Sequence, residues 1–477
     1  MSLTNNNNVQ LLKTLLFDIR VWVLVLFLLR MENLNQPPLD AHSYRQTITL
    51  GIARNYVEWD ANFLRPRTIL CDSRAGYEIT EFPILNYMIA GLWSVFGQQN
   101  WVFRLIGILA ASFGIWSFYH ILRRLIDPRA ALAGAVLFGT SVAFSYARKA
   151  MPDVFSVSLV LVGIHFAVRY LERGKMGHLF AFIGFAALGM LSKIPAASAM
   201  VLLAPMVLLK NDIGWDKKGR LIGAGIAAVA LMGLWYFVWI PGLEKEYGQG
   251  WYMNIGLEKA WHEIWVEAWP DTKTRFFPIA LQGRLAFFAF LAGLILMFVK
   301  KQWKMVMIWV LYSVVFLYFI LQVGKTFSHH EYYIIPYVVV MAAVAGLGLH
   351  YLLKNDWAFI AVLAIMAAEA IYWKKEDFFT PWNEQKFTKL ESLTDQYIPK
   401  NAKILVNGDN LNPKMMYFAH RRGWSVIDRM KDSAWVAGEN TVGMDYLVLD
   451  RNLWKEPLPW TKLYEDNEFQ IYKVNKD

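Results

Sequence analysis

Asp40 lies in the stretch QPPLDAHSYRQ, a few residues past a strongly apolar run, with His42, Tyr44 and Arg45 beside it. Other turns carry comparable groups. Glu78 and Glu81 stand in YEITEFP, Arg148, Lys149 and Asp153 in YARKAMPDVF, Lys193 in LSKIPA, and Lys325, His329, His330 and Glu331 in GKTFSHHEYY. A carboxylate so placed can take a proton from an attacking hydroxyl, and the cations can neutralise an anionic leaving group as its charge develops. A solvated loop is the alternative reading of Asp40, and a charged interface shell that of the whole set.

The elements that must position these groups are apolar helices. Of 477 residues 56% are hydrophobic and only 18% charged, which is not the balance of a soluble chain. The formal charge of +10 identifies no nucleic-acid partner, because multi-span proteins collect Lys and Arg in cytoplasmic loops and no basic arm is present. A single cysteine, Cys71, excludes an internal disulfide and a Cys-based metal cluster. About eleven segments approach the roughly 20 apolar residues that cross a hydrocarbon core. They lie near 15–34, 101–122, 130–147, 154–171, 178–192, 194–209, 221–241, 284–299, 303–322, 332–353 and 356–373. The first is interrupted by Asp18 and Arg20 and reads as a retained span, not a removed signal peptide.

The segment Pro83–Gly97 is short for a span. If it does not cross, the turns carrying Arg123/Arg124/Arg129, Arg169/Arg173/Lys175, Lys210/Lys217/Lys218/Arg220, Lys300/Lys301/Lys304 and Lys354 all face one side, the cytoplasm. A re-entrant or interfacial helix is therefore expected there. The expected architecture is an α-helical polytopic membrane protein with outer-face juxtamembrane helices and a small C-terminal soluble α/β domain. Residues 1–373 form the membrane domain with outer loops 35–82 and 242–283, and 374–477 the soluble domain on the outer, periplasmic or extracytoplasmic, side. In the latter, AKILVNG, WSVI, DYLVLD and FQIYKV read as strands and NPKMMYFAHRR as a helix. NGDNLNP at 407–413 reads as a strand–turn–helix connection with no site.

The order of the motifs adds to this. An acid after the first span, Glu-x-Pro opening a short apolar helix, x-Pro-Asp after a small outer turn, Ser-Lys between two spans, then Lys followed by Tyr and Pro, resembles the GT-C membrane glycosyltransferases. Within them the similarity is to the protein O-mannosyltransferase and lipid A aminoarabinose transferase branch, over about residues 35–340. The resemblance implies a GT-C-like fold, a sugar carried on a polyprenyl phosphate and transfer at the outer membrane face. It implies Asp40 as the leading catalytic residue, Asp153 as the second acid, Lys193 as a phosphate-contacting lysine, and Lys325 with Tyr332 or Tyr333 lining the cavity. The chain departs at Glu81-Phe82-Pro83, where the aminoarabinose transferases carry Glu-Lys-Pro, so one phosphate contact implied by the resemblance is missing.

The residue types suit that chemistry. Displacing a lipid phosphate from an anomeric carbon needs cations for the leaving anion and a base for the incoming hydroxyl, and a single displacement inverts the centre. Arg148, Lys149 and Arg275 are further candidates for the donor phosphate, and Tyr44, Glu81 and His330 for the cavity and acceptor. No cofactor is called for, although Asp153 is open to holding a divalent cation or to capping the helix after Pro152. Lys193 has a snorkelling lysine as its alternative. His329-His330-Glu331 could ligate a metal, but no third ligand is evident. Trp251, Tyr252, Trp261, Trp265 and Trp269 read as an interfacial belt, with sugar stacking as the alternative. The expected partners are a polyprenyl-phosphate-linked sugar, an acceptor lipid, glycan or protein, and membrane lipids, with no nucleic acid. The expected location is the inner or plasma membrane, multi-pass. The competing functions are a polytopic secondary transporter or lipid flippase, which would place ionisable groups near mid-span on repeated halves, and a non-catalytic scaffold.

Overall fold

The computed structural model describes residues 2–71, 76, 81–247, 255–408, 412–426, 432–436, 441 and 443–474. These divide into two compact units. One comprises Met1–Leu34, Arg104–Trp239 and Tyr252–Phe378, the other Asn35–Phe103, Ile240–Trp251 and Phe379–Asp477.

The first unit is helical. Among the described residues six helices are long and apolar enough to cross a membrane, or seven if the bent pair Trp269–Ile279 and Arg284–Val299 is one span. The protein is a multi-pass membrane protein. The expected count of eleven is not reached by this measure because several segments form shorter helices, such as Met176–Ser192, or break, as Ile194–Leu203 and Ala204–Leu208 do. The segment expected as the first span forms the 12-residue helix Ile19–Arg30, which is not among the six. Asp18 and Arg20 do not interrupt it but begin it, since Asp18 caps the helix Ile19–Arg30 by accepting from the Arg20 backbone N–H.

The Ile335–Leu352 helix runs through the core, and every residue from Ile335 to Leu349 is buried. Its small residues let neighbouring backbones approach. A Cβ on Gly346 would meet the Ala130 carbonyl oxygen at 2.4 Å, and one on Gly348 the Ala289 carbonyl oxygen at 2.1 Å. Small residues at such crossings are what membrane helices use where lipid offers no hydrophobic driving force. Gly348→Ala is accordingly expected to destabilise the fold by about 2–3 kcal/mol through overpacking against backbone. Detergent-solubilised thermal unfolding beside wild type measures this, and an unchanged midpoint would refute it. By contrast, the Trp303–Val323 helix buries only Met305, Ile308, Tyr312, Phe316 and Ile320, a single stripe at helical spacing.

Pro152–Arg173 and Met176–Ser192 form a tight hairpin. Gly174 ends the first helix in the left-handed region at φ 69°, donating its N–H to the Tyr170 carbonyl. Lys193, in extended conformation, closes the second helix and opens the 3₁₀ stretch Ile194–Leu203, which Pro195 helps to start.

The second unit contains the helices Ser43–Glu58 and Ile84–Phe96, the latter 13 residues and short as expected, and a five-stranded sheet. The strands are β1 Lys403–Asn407, β2 Arg422–Val426, β3 Met444–Asp450, β4 Thr461–Glu465 and β5 Phe469–Lys473, in the order β2-β1-β3-β5-β4. β1 pairs in parallel with β2 and β3, and β5 is antiparallel to β3 and β4. The expected helix forms at Lys414–Phe418. β4 was not foreseen, since TKLYE alternates poorly and is half exposed. Leu405, Leu447, Leu449 and Tyr472 lie in the sheet's core. Ile69–Cys71 adds to the β2 edge: Gly423 donates to the Ile69 carbonyl and Cys71 to that of Gly423.

Candidate functional site

In the second unit Asp40 is 3% exposed. Its carboxylate accepts from the side-chain amide of Gln36 at 3.1 Å and from that of Gln46, which is fully buried in the second turn of the Ser43–Glu58 helix. Asp40 is thus no solvated loop residue. Two side-chain amides donate to its two oxygens. His42 adopts φ 61° as the chain turns into the helix, and its ring lies 6.2 Å from that of Tyr44. Arg45 pairs with Glu81. The two glutamines were not singled out from sequence, because an amide four or six residues from an acid carries no distinctive signal.

In the first unit Lys193 Nζ lies 2.6 Å from Asp153 Oδ1, with Asp153 2% exposed. Asp153 is not the helix cap. Pro152 takes the first helical position, Met151 is the cap residue, and the Asp153 side chain turns to Lys193. A carboxylate paired with an ammonium is a poor cation site, and among the described residues no group of three His, Cys, Asp or Glu is arranged to hold a metal ion. Lys193 Nζ also sits 4.9 Å and 5.1 Å from the ring centroids of Tyr332 and Tyr333. Those rings stack on each other at 4.9 Å, and His330 stacks on Tyr332 at 5.3 Å. One acid, one lysine, two tyrosines and a histidine from three separate turns therefore come together.

Beside them runs a chain of charges, half-buried at Glu331, Lys374 and Asp377 and buried at Lys149. Tyr146 Oη donates to Glu331 Oε1 at 2.9 Å, Lys374 Nζ reaches the same oxygen at 2.6 Å, and Asp377 lies 3.8 Å from Lys374 and 3.5 Å from Lys149. Burial pushes the Asp377 carboxyl up, but Lys149 and Lys374 hold it net below the usual carboxylate range. Lys374 and Asp377 lie just past the last apolar helix, and their partners are distant in sequence, so spacing could not reveal the network.

The other expected phosphate cations are placed differently. Arg148 is fully buried, donates to the carbonyls of Glu32 and Asn33, and lies over the Phe378 ring at 3.9 Å. Lys149 is buried against Asp377. Arg275 Nε donates to the Ser328 carbonyl at 2.6 Å. Lys325 is exposed, and its backbone N–H donates to Glu263 Oε2 at 3.0 Å. Trp261, Trp265 and Trp269 follow one another as tilted rings with centroids 5.8 and 5.7 Å apart, and Trp261 and Trp269 are exposed, as an interfacial belt requires. Glu78, Trp251, Tyr252 and the centre of NGDNLNP lie outside the described residues.

The chain shares its fold with solved structures of ArnT and of an archaeal oligosaccharyltransferase. Residues 80–239 match the family model described as dolichyl-phosphate-mannose-protein mannosyltransferase. A relative from Pseudomonas fluorescens (strain Pf0-1), undecaprenyl phosphate-alpha-4-amino-4-deoxy-L-arabinose arabinosyl transferase 1, is 27% identical over 197 residues, 39% of this chain. The match spans only 33% of that relative's length. The crystal structure of ArnT from Cupriavidus metallidurans bound to undecaprenyl phosphate superposes with a TM-score of 0.58 at 13% identity, covering 96% of this chain and 97% of that one. The oligosaccharyltransferase of Archaeoglobus fulgidus gives 0.57 at 13% identity, covering 91% and 69%.

Proposed function

We propose that the protein is a membrane glycosyltransferase that moves a sugar from a polyprenyl-phosphate donor to an acceptor hydroxyl. The observation that supports this most is the sequence likeness to an arabinosyl transferase whose name specifies an undecaprenyl-phosphate donor, on a chain that also shares its fold with ArnT. The site chemistry agrees with it. Asp40, buried and held by two amides, acts as base on the acceptor hydroxyl. Lys193, with the exposed Lys325, offsets the charge of the departing lipid phosphate. The reaction is a single displacement with inversion, and it takes place on the extracytoplasmic face. Lipid, glycan and protein are the acceptor classes with a suitable hydroxyl.

Purified protein supplied with undecaprenyl-phosphate sugars should release lipid phosphate in an acceptor-dependent way. NMR of the product should show the anomeric configuration opposite to the donor's; retention would rule out a single displacement, and no turnover with any lipid-linked sugar would sink the reading. The side of the reaction has its own test. Single cysteines at Lys217 and at an exposed position of the 402–474 segment, introduced after replacing Cys71, should label from opposite faces of the membrane. Labelling from the same face would reverse the assigned orientation.

A further inference from the structure

The C-terminal sheet domain has no part in the chemistry just described, yet it grips the helix that carries one of Asp40's donors. His420, just past the Lys414–Phe418 helix, lies between two carboxylates. Its Nδ1 is 2.7 Å from Glu391 Oε1, and its Nε2 is 3.0 Å from both oxygens of Glu58, the last residue of the Ser43–Glu58 helix. Glu391 sits in the first turn of the Leu390–Tyr397 helix, so the imidazole ties the sheet domain's own helix to the helix that follows Asp40. One turn earlier Arg54 donates to the Tyr417 carbonyl at 2.8 Å and lies over the Tyr417 ring at 4.1 Å. Gln98 joins the cluster, accepting from Arg54 Nε at 3.1 Å and donating to Glu58. Burial pushes the Glu58 carboxyl up, while the hydrogen bond and charge of His420 bring it net below its ordinary value.

At the other end of the same helix, Gln46 holds Asp40. An α-helix of 16 residues is a stiff rod of about 24 Å, so a displacement at Glu58 is carried to the turn that holds Gln46. Misplacing a reacting group by about 1 Å can cost as much as 100-fold in rate.

We propose that the C-terminal domain positions the catalytic base: the Glu58–His420–Glu391 bridge, with Arg54 on Tyr417, fixes the far end of the Ser43–Glu58 helix and so sets where Gln46 holds Asp40. His420 and Glu58 are positioning residues, and the inference rests on the reading of Asp40 as base. A carboxylate only accepts hydrogen bonds, so both bonds of the bridge need a donor on each ring nitrogen. A side chain that presents several cationic donors can replace the imidazole, whereas alanine cannot.

The test is made on the full-length protein in detergent, with a lipid-linked sugar donor that the wild type uses. Glu58→Gln weakens the bridge from the helix side and leaves every C-terminal residue in place, His420→Ala breaks it from the domain side, and His420→Arg restores donors to both carboxylates. The expected result, for a bridge on a partly exposed surface, is a kcat about threefold lower in Glu58→Gln and His420→Ala, with the donor KM unchanged and most of the rate recovered in His420→Arg. Hydrogen exchange of the peptide covering 43–50 should rise in the two slow variants and return in His420→Arg. Wild-type kcat and exchange in both Glu58→Gln and His420→Ala would overturn the proposal, as would a loss in His420→Ala that arginine does not repair. An Asp40→Asn protein that keeps its rate would instead overturn the reading of Asp40 beneath it.

Discussion

Asp40→Asn is expected to lower kcat about 100-fold or more while donor binding is kept, the usual scale for a positioned base. The substitution preserves size and one acceptor oxygen; Gln36 and Gln46 donate to different carboxylate oxygens, so one keeps its bond and the other must turn its amide to accept from the new NH2 group. What is lost is the capacity to accept a proton. Asp60→Asn is the matching control in the same segment. Asp60 pairs with Arg67 at 3.2 Å across a partly exposed surface, where an ion pair contributes less than about 1 kcal/mol, so its loss should leave the rate near wild type. Equal losses at both positions, or none at Asp40, would return Asp40 to a structural role.

Lys193→Ala is expected to reduce both turnover and stability, because it removes a cation from the proposed phosphate site and strands a buried anion. Deleting one partner of a buried pair costs about 3–5 kcal/mol, most of it the penalty of the charge left behind. Asp153 is 2% exposed and so meets that condition. Adding Asp153→Asn to Lys193→Ala should therefore restore most of the stability and none of the rate. Thermal unfolding and kcat/KM on the two variants separate the effects. Recovery of the rate in the double variant would make Lys193 a structural lysine, and wild-type kinetics in Lys193→Ala would remove it from the site.

Much of the frame was legible because length and apolarity are one-dimensional signals. The segments at 101–122, 154–171 and 303–322 appear as the helices Asn100–Leu122, Pro152–Arg173 and Trp303–Val323. Four strands of the C-terminal sheet were legible by composition and alternation, and β4 was not, as an edge strand with little apolar pattern. The site was legible as an inventory of residues but not as a set of partnerships. That Asp153 would turn to Lys193 and not cap its helix depends on which residue Pro152 displaces into the cap position. That Arg148 would face inward to the carbonyls of Glu32 and Asn33 depends on contacts more than 100 positions apart in the chain. A charge in a turn reads the same whether it faces a ligand or a neighbouring backbone. The Glu58–His420–Glu391 bridge is hidden for the same reason, since its members stand in three separate segments of sequence.

The close backbone contacts of Gly346 and Gly348 bear on motion during turnover. A helix touching carbonyls on two sides, with no side chain between, has no room to slide or roll without lifting away from both neighbours. The Ile335–Leu352 helix therefore acts as a fixed post. Under the proposed function, displacement within the first unit as the lipid donor enters or leaves falls to elements seated by one buried stripe, such as Trp303–Val323. Donor exchange and rigidity of the core are thus separable properties: substitutions along the Met305–Ile320 stripe should alter how fast the lipid comes and goes, whereas those at the glycines decide whether there is a folded protein for it to enter.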